Sequence, residues 1–338
     1  MEKNNFNNPD NLDRFDTSAL LSNLMKEAQE AEERIRPYIR ETPAELSLYL
    51  GQEADCEVFL KLENLQITGS FKLRGAMNKV LSLSQEELEK GIITASSGNH
   101  AAAFAYLMKR FGLKGTIFLP KTASESKLES LRYYDVPLEL HGHDCILAET
   151  AARNSAQESG QVFISPYNDP KIVGGQATIG IELLNQLDNV DVVFAPIGGG
   201  GLISGIAGFL KASNRKIAII GCQPENSPVM YESIKAGHIL DMESKPSISD
   251  GTAGGIEKKA ITFAICRALV DEYVLLSEAE IKDAIRLVLK KHSMLIEGAA
   301  ALSVAAFLKI KNRYKGQQVA LIISGAKISL DKLREVLC

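Results

Sequence analysis

Cysteine is sparse and unpaired in this sequence. Cys56, Cys145, Cys222, Cys266 and Cys338 are scattered, odd in number and form no C-x-x-C pair. That argues against a disulfide framework or a zinc knuckle and fits a reducing cytoplasm. An excess of positive charge is also missing. The formal net charge is -4, so there is no basic footprint for a nucleic acid or an acidic membrane. The five histidines form no metal cluster, and H-E-x-x-H does not occur. The opening "MEKNNFNNPDNLDRF" has no apolar core of the kind a secretory signal needs and reads as a loose arm. No repeat, low-complexity tract or Pro/Gly/Ser-rich linker divides the chain. One uncharged run, residues 192–210, is long enough to span a bilayer. Its four consecutive glycines and its proline favour a buried strand, a tight loop and a helix instead.

What is present is a chain of 338 residues, 45% hydrophobic, long enough for one large core or two smaller ones. A helix is expected over residues 18–40. Short apolar runs then alternate with amphipathic ones. Strands are expected at 91–96, 115–120, 136–142, 190–197, 216–223, 272–277 and 317–324. Helices are expected at 99–112, 125–135, 144–159, 174–187, 278–292 and 297–310. Continuous apolar strands between amphipathic helices predict an α/β fold of doubly wound parallel sheets, covered on both faces. Ligands of such folds bind beyond the carboxyl ends of the strands. The loops after Ser96, Ile197 and Ser324 are therefore the places to look.

Each of those loops carries polar chemistry. Gly198, Gly199, Gly200 and Gly201 follow a strand and open a helix, a setting in which free amides and the positive end of the helix dipole cradle a phosphate. Tight packing of strand on helix would also explain four glycines. The run is neither a Walker A loop nor G-x-G-x-x-G. "SSGNH", Ser96 to His100, offers two hydroxyls, the Gly98 amide, Asn99 and an imidazole. It suits a carboxylate, though helix capping by serine accounts for it equally. In "GSFKLRG", Ser70 is expected to cap a helix with Lys72 in its first turn. A cation there meets the unfavourable end of the dipole, a cost that Schiff-base chemistry would explain, although for Lys72 taken alone an ordinary exposed lysine is the commoner reading. Ser324, at the end of a strand, could hydrogen-bond a ring nitrogen. Glu297 could be no more than an N-terminal helix carboxylate. A lysine, a phosphate cradle, a carboxylate site and a ring-nitrogen partner together describe pyridoxal 5'-phosphate (PLP).

At this point the chain resembles the fold-type II PLP enzymes, specifically the threonine/serine dehydratase and serine racemase group. The resemblance runs from about Glu41 onward and rests on "GSFKLRGA", "SSGNHAAAFA", "SPYNDPKIVGGQATIGIEL", "PIGGGGLISGIAG", "SDGTAGGI", "EGAAA" and "SGA", in the family's order and spacing. It implies two doubly wound parallel-sheet domains of the tryptophan-synthase-β type. Residues 1–66 with 166–338 would form the large PLP-binding domain, and 67–165 a smaller inserted one. It implies that Lys72 forms the Schiff base, with Phe71 beside it, and that Asn99 hydrogen-bonds the ring hydroxyl. Gly198 to Gly201 with Leu202 would hold the phosphate, Glu297 would line the cofactor, and Ser324 would face the ring nitrogen. Ser96, Ser97, Gly98 and His100 would surround the substrate carboxylate. The implied activity is an ammonia-lyase acting on a β-hydroxy amino acid such as L-threonine or L-serine, giving a 2-oxo acid and ammonia, in a cytoplasmic homodimer. Lys72 would take the Cα proton, and a serine at the ring nitrogen would favour elimination over transamination.

Departures bear on specificity. The family's S-G-G-N reads "SGAK" here, with Ala326 and Lys327. The acidic pair that binds a cation in racemase-type members falls on Gln223 and Val229, so no metal is expected, although Glu225 is nearby. No arginine matches the racemase's substrate-side arginine, and with the sequence ending at Cys338, feedback through a C-terminal regulatory domain of the biosynthetic type is not expected. Ser97, serine as in the racemase where many dehydratases have alanine, keeps racemisation open. "SDGTAGGIEKKAITF" and "CQPENSPVM" resemble a subgroup assigned to hydroxyectoine use, which with 3-hydroxyaspartate widens the substrate question. Against β-replacement enzymes of the cysteine synthase kind stands His100, where they carry threonine. Against a dehydrogenase stands the missing G-x-G-x-x-G. A non-catalytic binding protein would leave Lys72 unmodified.

Overall fold

The computed structural model describes residues 17–123, 125–143, 145–213 and 216–338. Among the described residues ten strands form two sheets. They are β1 (Ala44–Leu46), β2 (Glu57–Lys61), β3 (Ile92–Ala95), β4 (Gly115–Leu119), β5 (Leu138–Leu140), β6 (Val162–Phe163), β7 (Val192–Pro196), β8 (Ala218–Pro224), β9 (Glu272–Leu276) and β10 (Gln318–Ile322). The larger sheet runs β1-β2-β10-β7-β8-β9 and the smaller β5-β4-β3-β6. Every neighbouring pair is parallel except β1 with β2 at one edge. The fully buried runs VVFAP of β7 and IITA of β3 are what a strand covered on both faces requires.

The helices are α1 (Thr17–Ile35), α2 (Leu48–Ala54), α3 (Lys72–Leu81), α4 (Gln85–Lys90), α5 (Asn99–Phe111), α6 (Glu125–Arg132), α7 (Cys145–Ser159), α8 (Pro170–Gln186), α9 (Gly201–Ala212), α10 (Val229–Ala236), α11 (Ile261–Leu269), α12 (Glu278–His292), α13 (Gly298–Ile310) and α14 (Leu330–Leu337). One face of the larger sheet is sealed by α12 and α13 around Phe194, Phe307 and Ile285. The other is sealed by α1, α8, α9 and α11 around Val193, Ile206 and Ile265. The smaller sheet packs α3 and α5 on one side and α7 on the other. Among the described residues no helix is long and apolar enough to cross a membrane. Residues 192–210 divide into β7, a loop and most of α9.

Two local expectations change. The first helix stops at Ile35, and Arg36–Tyr38 tightens into a 3-10 turn. Pro37 disfavours α geometry at the residue before it and supplies no amide to continue the ladder. Ser70 does not cap α3. Phe71 holds the cap position without a side-chain bond, while Ser70 forms an antiparallel bridge to Gly325.

The start of α3 is held instead by charge. Arg74 is fully buried. Its Nε and Nη2 donate to the two Glu63 oxygens at 2.7 and 2.8 Å, and its Nη1 and Nη2 donate to the two Glu182 oxygens at 2.7 and 2.8 Å. Thr178 accepts a further bond from Nη1. Buried Lys61 donates to Glu182 at 2.6 Å. Arg36 Nη2 also donates to Glu182, at 2.7 Å, and is itself paired with Glu32, so three cations meet three carboxylates, and the flat fork of arginine is used from several sides. Burial alone would raise the Glu182 carboxyl, but Arg74 and Lys61 reverse this and hold it at about 2. Gly75 and Gly175 let α3 and α8 touch backbone to backbone, for a Cβ at Gly175 would stand 2.5 Å from the Arg74 carbonyl oxygen.

Replacing Arg74 by methionine leaves the buried Glu63 carboxylate without a paired cation and Glu182 with only Lys61 and Arg36. It should cost about 3–5 kcal/mol in denaturant unfolding, whereas removing the exposed Lys90–Glu86 pair should change stability by less than about 1 kcal/mol.

Candidate active site

The two sheets point the ends of β3, β7 and β10 at one region, and the segment before α3 closes it. Phe71 N–H donates to the Ser324 carbonyl at 3.1 Å, and Ala326 N–H to the Gly69 carbonyl at 3.0 Å. Gly69 makes the turn with φ 77°, a conformation that suits glycine. This stitching brings Lys72, the first residue of α3, next to the segment that follows β10.

Lys72 is mostly buried and meets no carboxylate directly. Its Nζ donates to the Pro166 carbonyl at 2.8 Å and lies 5.2 Å from the centre of the Phe71 ring. Burial lowers its pKa to about 8, with Glu297 pulling weakly the other way. A neutral amine is therefore accessible close to physiological pH, as imine chemistry requires.

The glycine loop lies across from it. Gly200 has φ 85° and opens α9, whose first amides have no partner inside the helix. A Cβ at Gly199 would stand 2.6 Å from the Tyr167 ring, one at Gly201 2.9 Å from Tyr167 Cβ, and one at Gly198 3.0 Å from Thr252 Cα. Thr262 Oγ1 donates to the Gly199 carbonyl at 2.6 Å, so the loop is shaped from outside as well. Leu202 is buried in the first turn of α9 behind it.

At the end of β3, serine capping of α5 is not found. Gly98 is the cap residue and has no side-chain bond, while Ser96 Oγ accepts the Gly98 amide at 3.2 Å. Ser97 is partly exposed at the same corner. His100 is buried, and its Nε2 lies 3.2 Å from the Ile164 carbonyl. That oxygen only accepts, so Nε2 carries the proton. Burial, with nearby Lys72, depresses this imidazole to about 3, so it stays neutral.

Asn99 Nδ2 donates to both oxygens of Glu297, at 2.9 and 2.8 Å. Burial raises the Glu297 carboxyl to about 7 despite those bonds. Ser324 is buried two residues beyond β10. Three buried polar atoms in this region, Asn99 Oδ1, Ser324 Oγ and Ser70 Oγ, have no protein partner. Buried hydroxyl and amide oxygens are costly when unpaired. A heteroaromatic ring carrying a hydroxyl and a phosphate supplies such partners, and the N-terminus of α9, whose first amides have no partner inside the helix, suits the phosphate. The residues fit PLP.

The structure also assigns surroundings to residues without a role at the sequence level. Tyr167 walls the glycine loop, and its hydroxyl accepts the Glu257 amide at 2.8 Å. Its position after β6 in "SPYNDP" was the available signal. Gln223 is buried with Oε1 accepting the Tyr231 amide at 2.8 Å, and Glu225 lies 3.9 Å from Lys309. Among the described residues no group of three His, Cys, Asp or Glu converges on a metal position.

The model of the family "Pyridoxal-phosphate dependent enzyme" matches residues 35–325. An L-threonine ammonia-lyase of Thermotoga maritima is 39% identical over 314 residues, covering 93% of this chain and 78% of its own. Among solved structures, threonine deaminase isoform 2 of Solanum lycopersicum superposes with a TM-score of 0.88 at 33% identity, covering 93% of this chain and 92% of its own. Serine racemase of Dictyostelium discoideum gives 0.83 at 33% identity, covering 90% and 99%.

Labelling the cofactor-free protein with an amine-reactive reagent at increasing pH should modify Lys72 with a midpoint near 8, not near the 10.5 of a free lysine. Peptide mass mapping reads the site. The sign follows from burial, which disfavours the ammonium form.

Proposed function

This chain belongs to the pyridoxal-phosphate dependent enzyme family and is a PLP-dependent ammonia-lyase of the threonine/serine dehydratase group, and from that premise we propose L-threonine and L-serine as its substrates. The products are the corresponding 2-oxo acid and ammonia. The observation that carries the reading is the desolvated Lys72 amine, facing a carbonyl and no carboxylate, in a region where Ser324 Oγ and Asn99 Oδ1 are buried without partners.

Bound PLP supplies the aldehyde that captures the amino group and the electron-withdrawing ring that acidifies Cα–H. We assign the protein's share as follows. Lys72 holds the cofactor and, as a free amine, takes the Cα proton. Gly198 to Gly201 and Leu202 direct amides at the phosphate. Ser324 donates a neutral hydrogen bond to the ring nitrogen. A hydroxyl does not keep that nitrogen protonated as a carboxylate would, so charge is not stored on the ring and loss of the β-hydroxyl is favoured. Asn99 meets the ring hydroxyl, Glu297 lines the ring, and Phe71 flanks Lys72. Ser96, Ser97 and the Gly98 amide hold the substrate carboxylate at the N-terminus of α5, where the dipole favours an anion. Neutral His100 packs beneath them without adding charge.

Residues 67–165, which contain all four strands of the smaller sheet, form the smaller domain in this reading, and 1–66 with 166–338 the larger. A cytoplasmic homodimer is part of the same proposal. Racemisation of serine is the second reading, favoured by the hydroxyl of Ser97 and by the similarity to serine racemase.

Incubation with L-threonine and L-serine should release 2-oxo acid. Lys72→Ala should lower the rate by at least about 100-fold, as expected for loss of a general base. Ser324→Asp should raise half-transamination with a 2-oxo acid at the expense of elimination. D-serine formed in place of 2-oxo acid would move the assignment to racemase. Undiminished 2-oxo acid release by Lys72→Ala would overturn the role of Lys72.

A further inference from the structure

The Asn99–Glu297 contact fixes the direction of an amide. The two Glu297 oxygens lie 2.9 and 2.8 Å from Asn99 Nδ2. An ionised carboxylate only accepts, so it takes the NH2 end of the amide. The other end, Oδ1, is buried and has no protein partner. Asn99 therefore presents an acceptor to its ligand, and the ligand group must donate.

Building on the reading above in which Asn99 meets the ring oxygen of the cofactor, we propose that Glu297 is a positioning residue that decides which end of the Asn99 amide that oxygen meets, and so which tautomer the site holds. With Glu297 ionised, Asn99 Oδ1 faces the ring oxygen, which keeps its proton and donates it. With Glu297 protonated, its O–H donates to Asn99 Oδ1. The amide turns over, Nδ2 donates to the ring oxygen, and the ring proton moves to the Lys72 nitrogen. One proton enters Glu297 from solvent, one shifts within the cofactor–lysine unit, and no electrons are transferred.

The surroundings let Glu297 change state near neutrality. Burial raises its carboxyl, Asp250 adds to the push, and the bond from Asn99 and the approach of Lys327 oppose it. Lys72 faces it from α3. From the segment after β10, a Cβ at Gly325 would come within 2.5 Å of Glu297 Oε1, so only glycine fits against the carboxylate there. Asp250 is itself reached by Lys127 at 3.6 Å and Lys332 at 3.2 Å. Protonation at neutral pH is thus within reach of a group that already points at the amide.

The test is the absorption spectrum of the PLP-loaded enzyme without substrate, titrated across the neutral range. The near-ultraviolet band reports the ring-hydroxyl form and the visible yellow band the proton-shifted form. As pH rises, the yellow band should give way to the near-ultraviolet one in a one-proton curve with a midpoint near 7. Glu297→Gln should flatten that curve. Asp250→Asn, a change at a half-exposed residue, should leave the curve intact and move its midpoint to lower pH, because a charge that opposes ionisation of Glu297 is gone. Asn99→Ala separates the two ways of failing. If it leaves the spectrum untouched, Asn99 does not meet the ring oxygen and the underlying placement falls. If it alters the spectrum while Glu297→Gln titrates as the parent does, or while Asp250→Asn leaves the midpoint unmoved, the placement stands and the role of Glu297 is overturned.

Discussion

The guanidinium of Arg74 is the interaction on which the arrangement depends. It joins α3 to Glu63, which follows β2, and to Glu182 on α8. β2 in turn fixes the end of β10, because Ile323 N–H donates to the Lys61 carbonyl and Asn64 N–H to the Ile323 carbonyl. One buried ionic cluster therefore sets the position of Lys72, two residues before Arg74, relative to Ser324, one residue after Ile323. Burying two carboxylates and two cations is favourable only when each is paired and hydrogen-bonded. That condition is met here with short bonds from several elements, so the cluster acts as a register pin and tolerates little displacement.

Beside this fully paired cluster lies a set of groups left deliberately unpaired. Lys72 has a carbonyl for a partner and Glu297 an amide. His100 donates to a carbonyl. With no opposite charge in direct contact, burial dominates and moves each toward its neutral form. The same desolvation that would destabilise an ordinary protein interior brings the Lys72 amine to about 8, the state that its proposed role as nucleophile and base calls for. The pairing rule is kept where the chain needs rigidity and broken at the candidate site.

Much of this was legible in the sequence, for identifiable reasons. β3, β4, β7, β8 and β10 are continuous apolar runs, and the glycine loop and "SSGNH" sit at the ends of two of them, so the location of the candidate site follows from the parallel-sheet pattern. β2 was not legible. It carries Glu57 and Lys61, and Lys61 is buried only because Glu182, 121 residues away, meets it. The capping role expected of Ser70 failed for a similar reason, since its bridge partner Gly325 comes from the far end of the chain. The end of α1 was misjudged because helical periodicity was followed through Pro37. Asn99 was singled out, but its pairing with Glu297 joins the start of α5 to the start of α13, and no local pattern encodes that. What escapes the sequence is the partner of each polar group whenever the partner lies in another layer.

Attachment of PLP to Lys72 would leave a permanent mark on the chain when the imine is reduced. The most direct measurement is borohydride reduction of the purified protein, followed by digestion and peptide mass analysis. A stable mass increase, equal to one reduced pyridoxal phosphate, is expected on the peptide that contains Lys72 and on no other. The same adduct on a different lysine, or a yellow protein whose Lys72 peptide is unmodified after reduction, would contradict it.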